Sequence, residues 1–118
     1  MPYQSLLEEL VRSVPGAEGA LMLDSTGEVV VEAGARDDRH RLIGAYQGLT
    51  LLIAQKTSTR YAAGEISHIV CRYSGGSLIL RTLKDGYYLV MALQPNAPLA
   101  RAMYRSAVAQ AGMNAALE

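Results

Sequence analysis

Residues 38–73 of the chain read DRHRLIGAYQGLTLLIAQKTSTRYAAGEISHIVCRY, and no other part of it carries as much architectural information. The spacing predicts one long helix from Asp38 to about Tyr61, then, after Gly64, a strand from Ile66 to Tyr73. Leu42, Tyr46, Leu49 and Ile53 form the main apolar row of the helix. Ile43, Leu51 and Leu52 widen it, so the helix is expected to be packed on more than one side. Gly44 and Gly48 fall on one face. A glycine inside a helix costs about 1 kcal/mol relative to alanine. Two of them four residues apart lower the helix surface and let another backbone approach. That backbone is either the chain's own sheet or a second helix across a dimer. The following strand favours the dimer, because an edge strand must be protected or paired and a two-fold axis pairs it with its copy.

Before this stretch, Leu6, Leu7, Leu10, Val11 and Val14 line one side of a first helix, stopped by Pro15-Gly16. A strand from Gly19 to Asp24 and a return strand from Glu28 to Ala33 flank a Ser25-Thr26-Gly27 turn, with Gly27 suited to positive φ. Asp37 or Asp38 is placed to cap the long helix. After it come three strands, Ile66 to Tyr73, Ser77 to Leu83 and Tyr87 to Leu93, joined at Ser74-Gly75-Gly76 and Lys84-Asp85-Gly86. Their nearly continuous apolar character predicts a sheet covered on both faces. Asn96 is expected to cap a last helix, with Pro98 in its first turn and Leu99, Met103, Ala107 and Ala111 on its apolar face. The order α-β-β-α-β-β-β-α, with hairpins at all strand connections but one, predicts an α/β sandwich. Its sheet is five-stranded, mostly antiparallel and flanked by helices.

The 118 residues fit one domain, 1–118, able to bury roughly 65% of its unfolded surface. Half the residues are hydrophobic, and the only aromatics are tyrosines. The net charge of zero and the lack of a basic run argue against nucleic acid or an anionic membrane as partner. No apolar run approaches the ~20 residues of a membrane span. Met1 to Gln4 shows no basic region leading into an apolar run, as a signal peptide would. The single cysteine, Cys71, fits a reducing cytoplasm.

Catalytic chemistry finds no footing. His68 and Cys71, three apart on one strand, point to opposite faces and form no dyad. Cys71 reads as a small buried hydrophobe, and His40 as part of a solvated, charged helix start. Two histidines and one cysteine without ligand spacing give no metal site. Gly75-Gly76 lacks the Lys-Ser/Thr and the helix of a phosphate loop. Tyr87 and Tyr88 read as a strand pair with one ring on each face. No catalytic residue, metal or cofactor is expected.

The segment Val14-Pro15-Gly16-Ala17-Glu18-Gly19-Ala20-Leu21-Met22-Leu23-Asp24-Ser25-Thr26-Gly27, entered from an amphipathic helix, resembles the opening of the roadblock/LC7 family. The long glycine-containing helix, the three-strand meander and the last helix extend the resemblance over essentially the whole chain. It stops soon after Leu117, without the extra tail of some members. The resemblance implies a profilin-like fold and a homodimer in which the second helix and third strand meet their copies. It also implies a non-enzymatic regulator or scaffold for a small Ras-like GTPase. Such regulators reposition the GTPase's own residues, so Arg39, Arg41, Arg60 and Arg72 are not assigned as an arginine finger.

These readings place the dimer interface at Gly44, Gly48, Leu52, Ile66, His68, Val70 and Arg72. Partner contacts are expected at Arg39, Leu42, Tyr46 and Gln47. The alternatives are a nucleotide-independent scaffold subunit of a motor or signalling complex, and a small-molecule sensor domain.

Overall fold

Leu7 and Leu10 lie buried on one side of the first helix, Pro2–Ser13, as their spacing requires. The computed structural model describes residues 2–34 and 64–117, so the predicted helix Asp38–Tyr61 lies outside the described residues. The strands are β1 (Ala17–Leu23), β2 (Val29–Gly34), β3 (His68–Tyr73), β4 (Gly76–Thr82) and β5 (Tyr88–Leu93), followed by a last helix, Leu99–Ala116. They form one five-stranded sheet, antiparallel throughout, in the order β2-β1-β5-β4-β3.

Both described helices cover the same face of the sheet, the first over β1 and β2 and the last over β4. Ala20, Met22, Ile79, Leu89 and Met91 point into this layer and meet Leu7, Leu10, Ala102, Ala109 and Met113. The two helices run antiparallel. Tyr3 Oη donates to Ala116 O at 3.0 Å near one end, and Arg101 Nε donates to Ser13 O at 2.7 Å near the other. The opposite face carries Leu21, Leu23, Leu78, Leu80, Tyr88, Val90 and Ala92, also buried. Burial on both faces explains why β1, β4 and β5 read as unbroken apolar runs. Tyr87 joins the helical layer and Tyr88 the opposite one, one ring on each face.

Turn chemistry fixes the hairpins. Gly27 takes φ +88° in the β1–β2 turn. Asp24 Oδ1 accepts there from Thr26 Oγ1 (2.6 Å), Thr26 N (2.9 Å) and Glu28 N (3.0 Å). Gly76 stands at φ +147°, and a Cβ on it would lie 2.2 Å from Leu93 O. Lys84–Gly86 form a short 3-10 turn in which Asp85 adopts φ 61°, a conformation aspartate tolerates better than most residues.

Three expectations need correction. The third strand begins at His68, not Ile66, because Gln110 Nε2 occupies Thr82 O at 2.8 Å, the carbonyl to which Ser67 N would donate in a longer ladder. Asn96 does not cap the last helix. A turn closed by Ala97 N on Gln94 O absorbs it, and Pro98 occupies the N-cap without a side-chain bond. The buried face of that helix is Ala102, Ser106, Ala109 and Met113, while Ala111 is exposed and Ala107 half-buried. Ser106 is drawn inside by a polar partner, described below.

Two outcomes follow from the turns. Gly76→Ala is expected to lower stability by more than about 3 kcal/mol, because main chain must move. Gly75→Ala, with nothing within 4 Å of the added carbon, should stay within about 0.5 kcal/mol by denaturant titration. The bonds on Asp24, led by the Thr26 hydroxyl, hold its pKa below the ordinary 3.8. A depressed carboxylate stabilises fully above its unfolded pKa and loses that contribution as pH falls through the folded one. Asp24→Ala should therefore melt below the parent near neutral pH, with the gap narrowing below pH 3.8; a gap independent of pH would contradict the turn's ionic character.

Candidate interaction site

The strand order leaves two edges, β2 and β3, and they differ. The β2 edge is blunted. Its register against β1 skips Val30, which bulges out 40% exposed. Gln4 of the first helix donates from Nε2 to Glu32 O at 2.8 Å, so a side chain already sits on that strand's main chain. A bulge and a side-chain plug are standard ways of refusing another strand.

The β3 edge has a regular six-residue register against β4, from His68 opposite Arg81 to Tyr73 opposite Gly76. Thr82 N donates to Ser67 O at 3.1 Å, which marks Ser67 and Thr82 as a bonded pair. Bonded and non-bonded pairs alternate in an antiparallel ladder. Ile69, Cys71 and Tyr73 are therefore the residues bonded to β4, and the N–H and C=O of His68, Val70 and Arg72 face away from the sheet. No strand among the described residues pairs with that row. The side chains alternate as well. Val70 packs into the helical layer, Ile69 and Cys71 into the opposite one, and His68 and Arg72 are exposed beside Val70.

Beneath this edge lies a polar network. Arg81 on β4 is 4% exposed. Its Nε donates to Ser106 Oγ (2.8 Å), Nη2 to Met103 O (2.9 Å) and Nη1 to Gln110 Oε1 (3.1 Å). These acceptors are neutral, and burial pushes the guanidinium pKa down. Gln110 Nε2 in turn donates to Thr82 O (2.8 Å) and Ser67 O (3.2 Å). The network thus reaches from the last helix to the residue that precedes β3.

Of the predicted interface residues, His68, Val70 and Arg72 lie together on the edge strand. Ile66 sits just before it, half-buried against the layer opposite the helices. Gly44, Gly48 and Leu52 lie outside the described residues, as do Arg39, Leu42, Tyr46 and Gln47. Sequence reasoning missed Arg81, Ser106 and Gln110. The available signal was a lone arginine closing the apolar run Leu78-Ile79-Leu80. Among the described residues, no three His, Cys, Asp or Glu side chains come together as metal ligands. No helix among them is long and apolar enough to cross a membrane.

Solved structures share this arrangement. A Roadblock/LC7 domain from Streptomyces avermitilis superposes with a TM-score of 0.85 at 21% identity, covering 97% of this chain and 96% of that one. Myxococcus xanthus MglB gives 0.86 at 12% identity over 98% and 94%. The gliding protein MglB of Thermus thermophilus gives 0.83 at 18% over 95% and 85%. At these identities the likeness is one of fold. Among curated proteins none matches the chain. The family profile described as Roadblock/LC7 domain matches residues 3–93, most of the sequence, and the chain belongs to that family.

Proposed function

We propose that the chain is a non-enzymatic, cytoplasmic homodimer that pairs its β3 edge with that of a second copy and presents the joined surface to a small Ras-like GTPase. The observation that carries this reading is the difference between the edges: β2 is bulged and plugged, whereas β3 offers three outward main-chain donors and acceptors in regular register. Two-fold pairing centred on Val70 sets Val70 opposite its copy and His68 opposite the copy's Arg72. Gly44, Gly48 and Leu52 are then interface residues of the predicted helix, and Arg39, Leu42, Tyr46 and Gln47 are its contacts to the GTPase. Family membership supports the regulatory role, and another MglB structure is described as having a tetrameric arrangement.

The pairing is tested by proline. A proline is tolerated where an edge-strand N–H points outward and is destructive where that N–H holds the ladder. Val70→Pro is expected to remain folded by circular dichroism yet sediment as a monomer at concentrations where the parent is a dimer. Ile69→Pro, which removes a bond to β4, is expected to unfold. A Val70→Pro chain that still sediments as a dimer would refute edge pairing.

The regulatory role is tested by titrating the dimer with a Ras-like GTPase loaded with a GTP analogue or with GDP. The two forms are expected to differ at least about tenfold in affinity, since a ligand with equal affinity for two states shifts neither. Equal binding would leave a nucleotide-independent scaffold.

A further inference from the structure

We infer that Gln110, oriented by the buried Arg81, is a positioning residue that fixes the start of β3 and so selects which main-chain groups the edge offers for pairing. This rests on the edge-pairing reading above. The need arises because the side chains of β3 specify register weakly. One face carries His68, Val70 and Arg72 and the other the apolar Ile69, Cys71 and Tyr73. Ile69 and Cys71 are only half-buried and Tyr73 is 50% exposed, so burial fixes the register weakly. A slip of one residue would exchange the outward row and turn Ile69 and Cys71 over. Something other than burial must hold the strand.

It is pinned at both ends. At the hairpin, Tyr73 pairs with Gly76 across the two-residue Ser74-Gly75 turn, and Gly76 is itself held against Leu93 O so closely that no side chain fits there. At the other end, Gln110 Nε2 reaches Ser67 O and Thr82 O, while Thr82 Oγ1 donates to Ile66 O. A carboxamide can sit either way round, and only one way presents a donor to those carbonyls. Arg81 settles which. A guanidinium only donates, so only the Oε1 end of Gln110 can sit beside Nη1, and Nε2 must face the strands. Arg81 is itself fixed by Ser106 Oγ and Met103 O. A buried cation with neutral acceptors is a poor way to gain stability, and well-packed apolar residues commonly do as well or better. What the arginine contributes is orientation.

Two variants of the full chain test this. Gln110→Glu gives Arg81 an ionic partner but removes both donors and sets a carboxylate against two carbonyls. Arg81→Met combined with Gln110→Met replaces the network by apolar volume. Both are expected to speed amide exchange at Ile69 and Cys71 about tenfold, with β1 and β5 unaffected, and to weaken the dimer by a similar factor in sedimentation, the scale of one or two lost hydrogen bonds. In the Val70→Pro background, where melting is uncoupled from association, the double variant should melt no lower than its parent. A network that only holds the fold together predicts the reverse: lower melting of the double variant, and in both variants exchange raised evenly across the sheet with no excess at β3. That pattern would overturn the assignment. Should the double variant fail to fold, Gln110→Glu decides by the same exchange readout. If Val70→Pro leaves the dimer intact, edge pairing falls, while exchange at Ile69 and Cys71 still decides whether Gln110 positions the strand.

Discussion

One non-local ladder, β1 against β5, determines which strands this sheet can offer to anything else. The three hairpins are local. They join β1 to β2 and β3 to β4 to β5, and by themselves give two separate pieces. The pieces merge where Ala20, Leu21, Met22 and Leu23 lie opposite Met91, Val90, Leu89 and Tyr88, all eight of them buried. Each fully buried aliphatic side chain is worth about 1.5–3 kcal/mol, so this ladder holds much of the apolar gain of the sheet. Once β5 takes β1, its other side already being held by β4, β2 and β3 have no place but the edges. The identity of the two edges is thus a consequence of where these buried apolar residues were placed.

Much of this was legible in the residues. Turn glycines, the amphipathic first helix and the division of Tyr87 and Tyr88 between faces follow from local rules that act over two to five positions. Side-chain alternation alone grouped His68, Val70 and Arg72. Their main-chain direction was not legible, because it depends on the bonded pair formed by Ser67 and Thr82, which are 15 residues apart. The last helix was misread for a related reason. Ser106 counts as a surface residue by its chemistry, and it is buried only because Arg81, 25 residues earlier, supplies a donor. No spacing rule connects an arginine on a strand with an acceptor on a distant helix. Asn96 failed as a cap because a competing turn at Gln94–Ala97 used up the segment before the helix began.

The Arg81 network also shows how a fold can hold an edge strand in place without burying it deeply. β3 packs through Val70, Ile69 and Cys71, all only half-buried, and a strand held by so little apolar contact is among the first to open. Main-chain bonds to β4 hold its length, and the side chains of Gln110 and Thr82 hold its entry. The last helix therefore does two jobs. Ala102, Ala109 and Met113 bury against the sheet, and Gln110 reaches past that contact to the strand it does not cover.

An open edge is a hazard as well as an opportunity, since repeated edge pairing builds fibres. Here the asymmetry of the sheet limits growth. In the proposed dimer both β3 edges are consumed, and the outer edges are two copies of β2, each with the Val30 bulge and the Gln4 plug. Strand pairing in the proposed dimer would stop at two, because its remaining edges refuse a third strand. The exposed pair on β3 narrows the choice further. Parallel, in-register contact would set Arg72 against Arg72, whereas antiparallel contact centred on Val70 sets each guanidinium against an imidazole. Like charges directly opposite across a strand pair are unfavourable, so in the proposed dimer these two side chains would favour antiparallel over parallel contact.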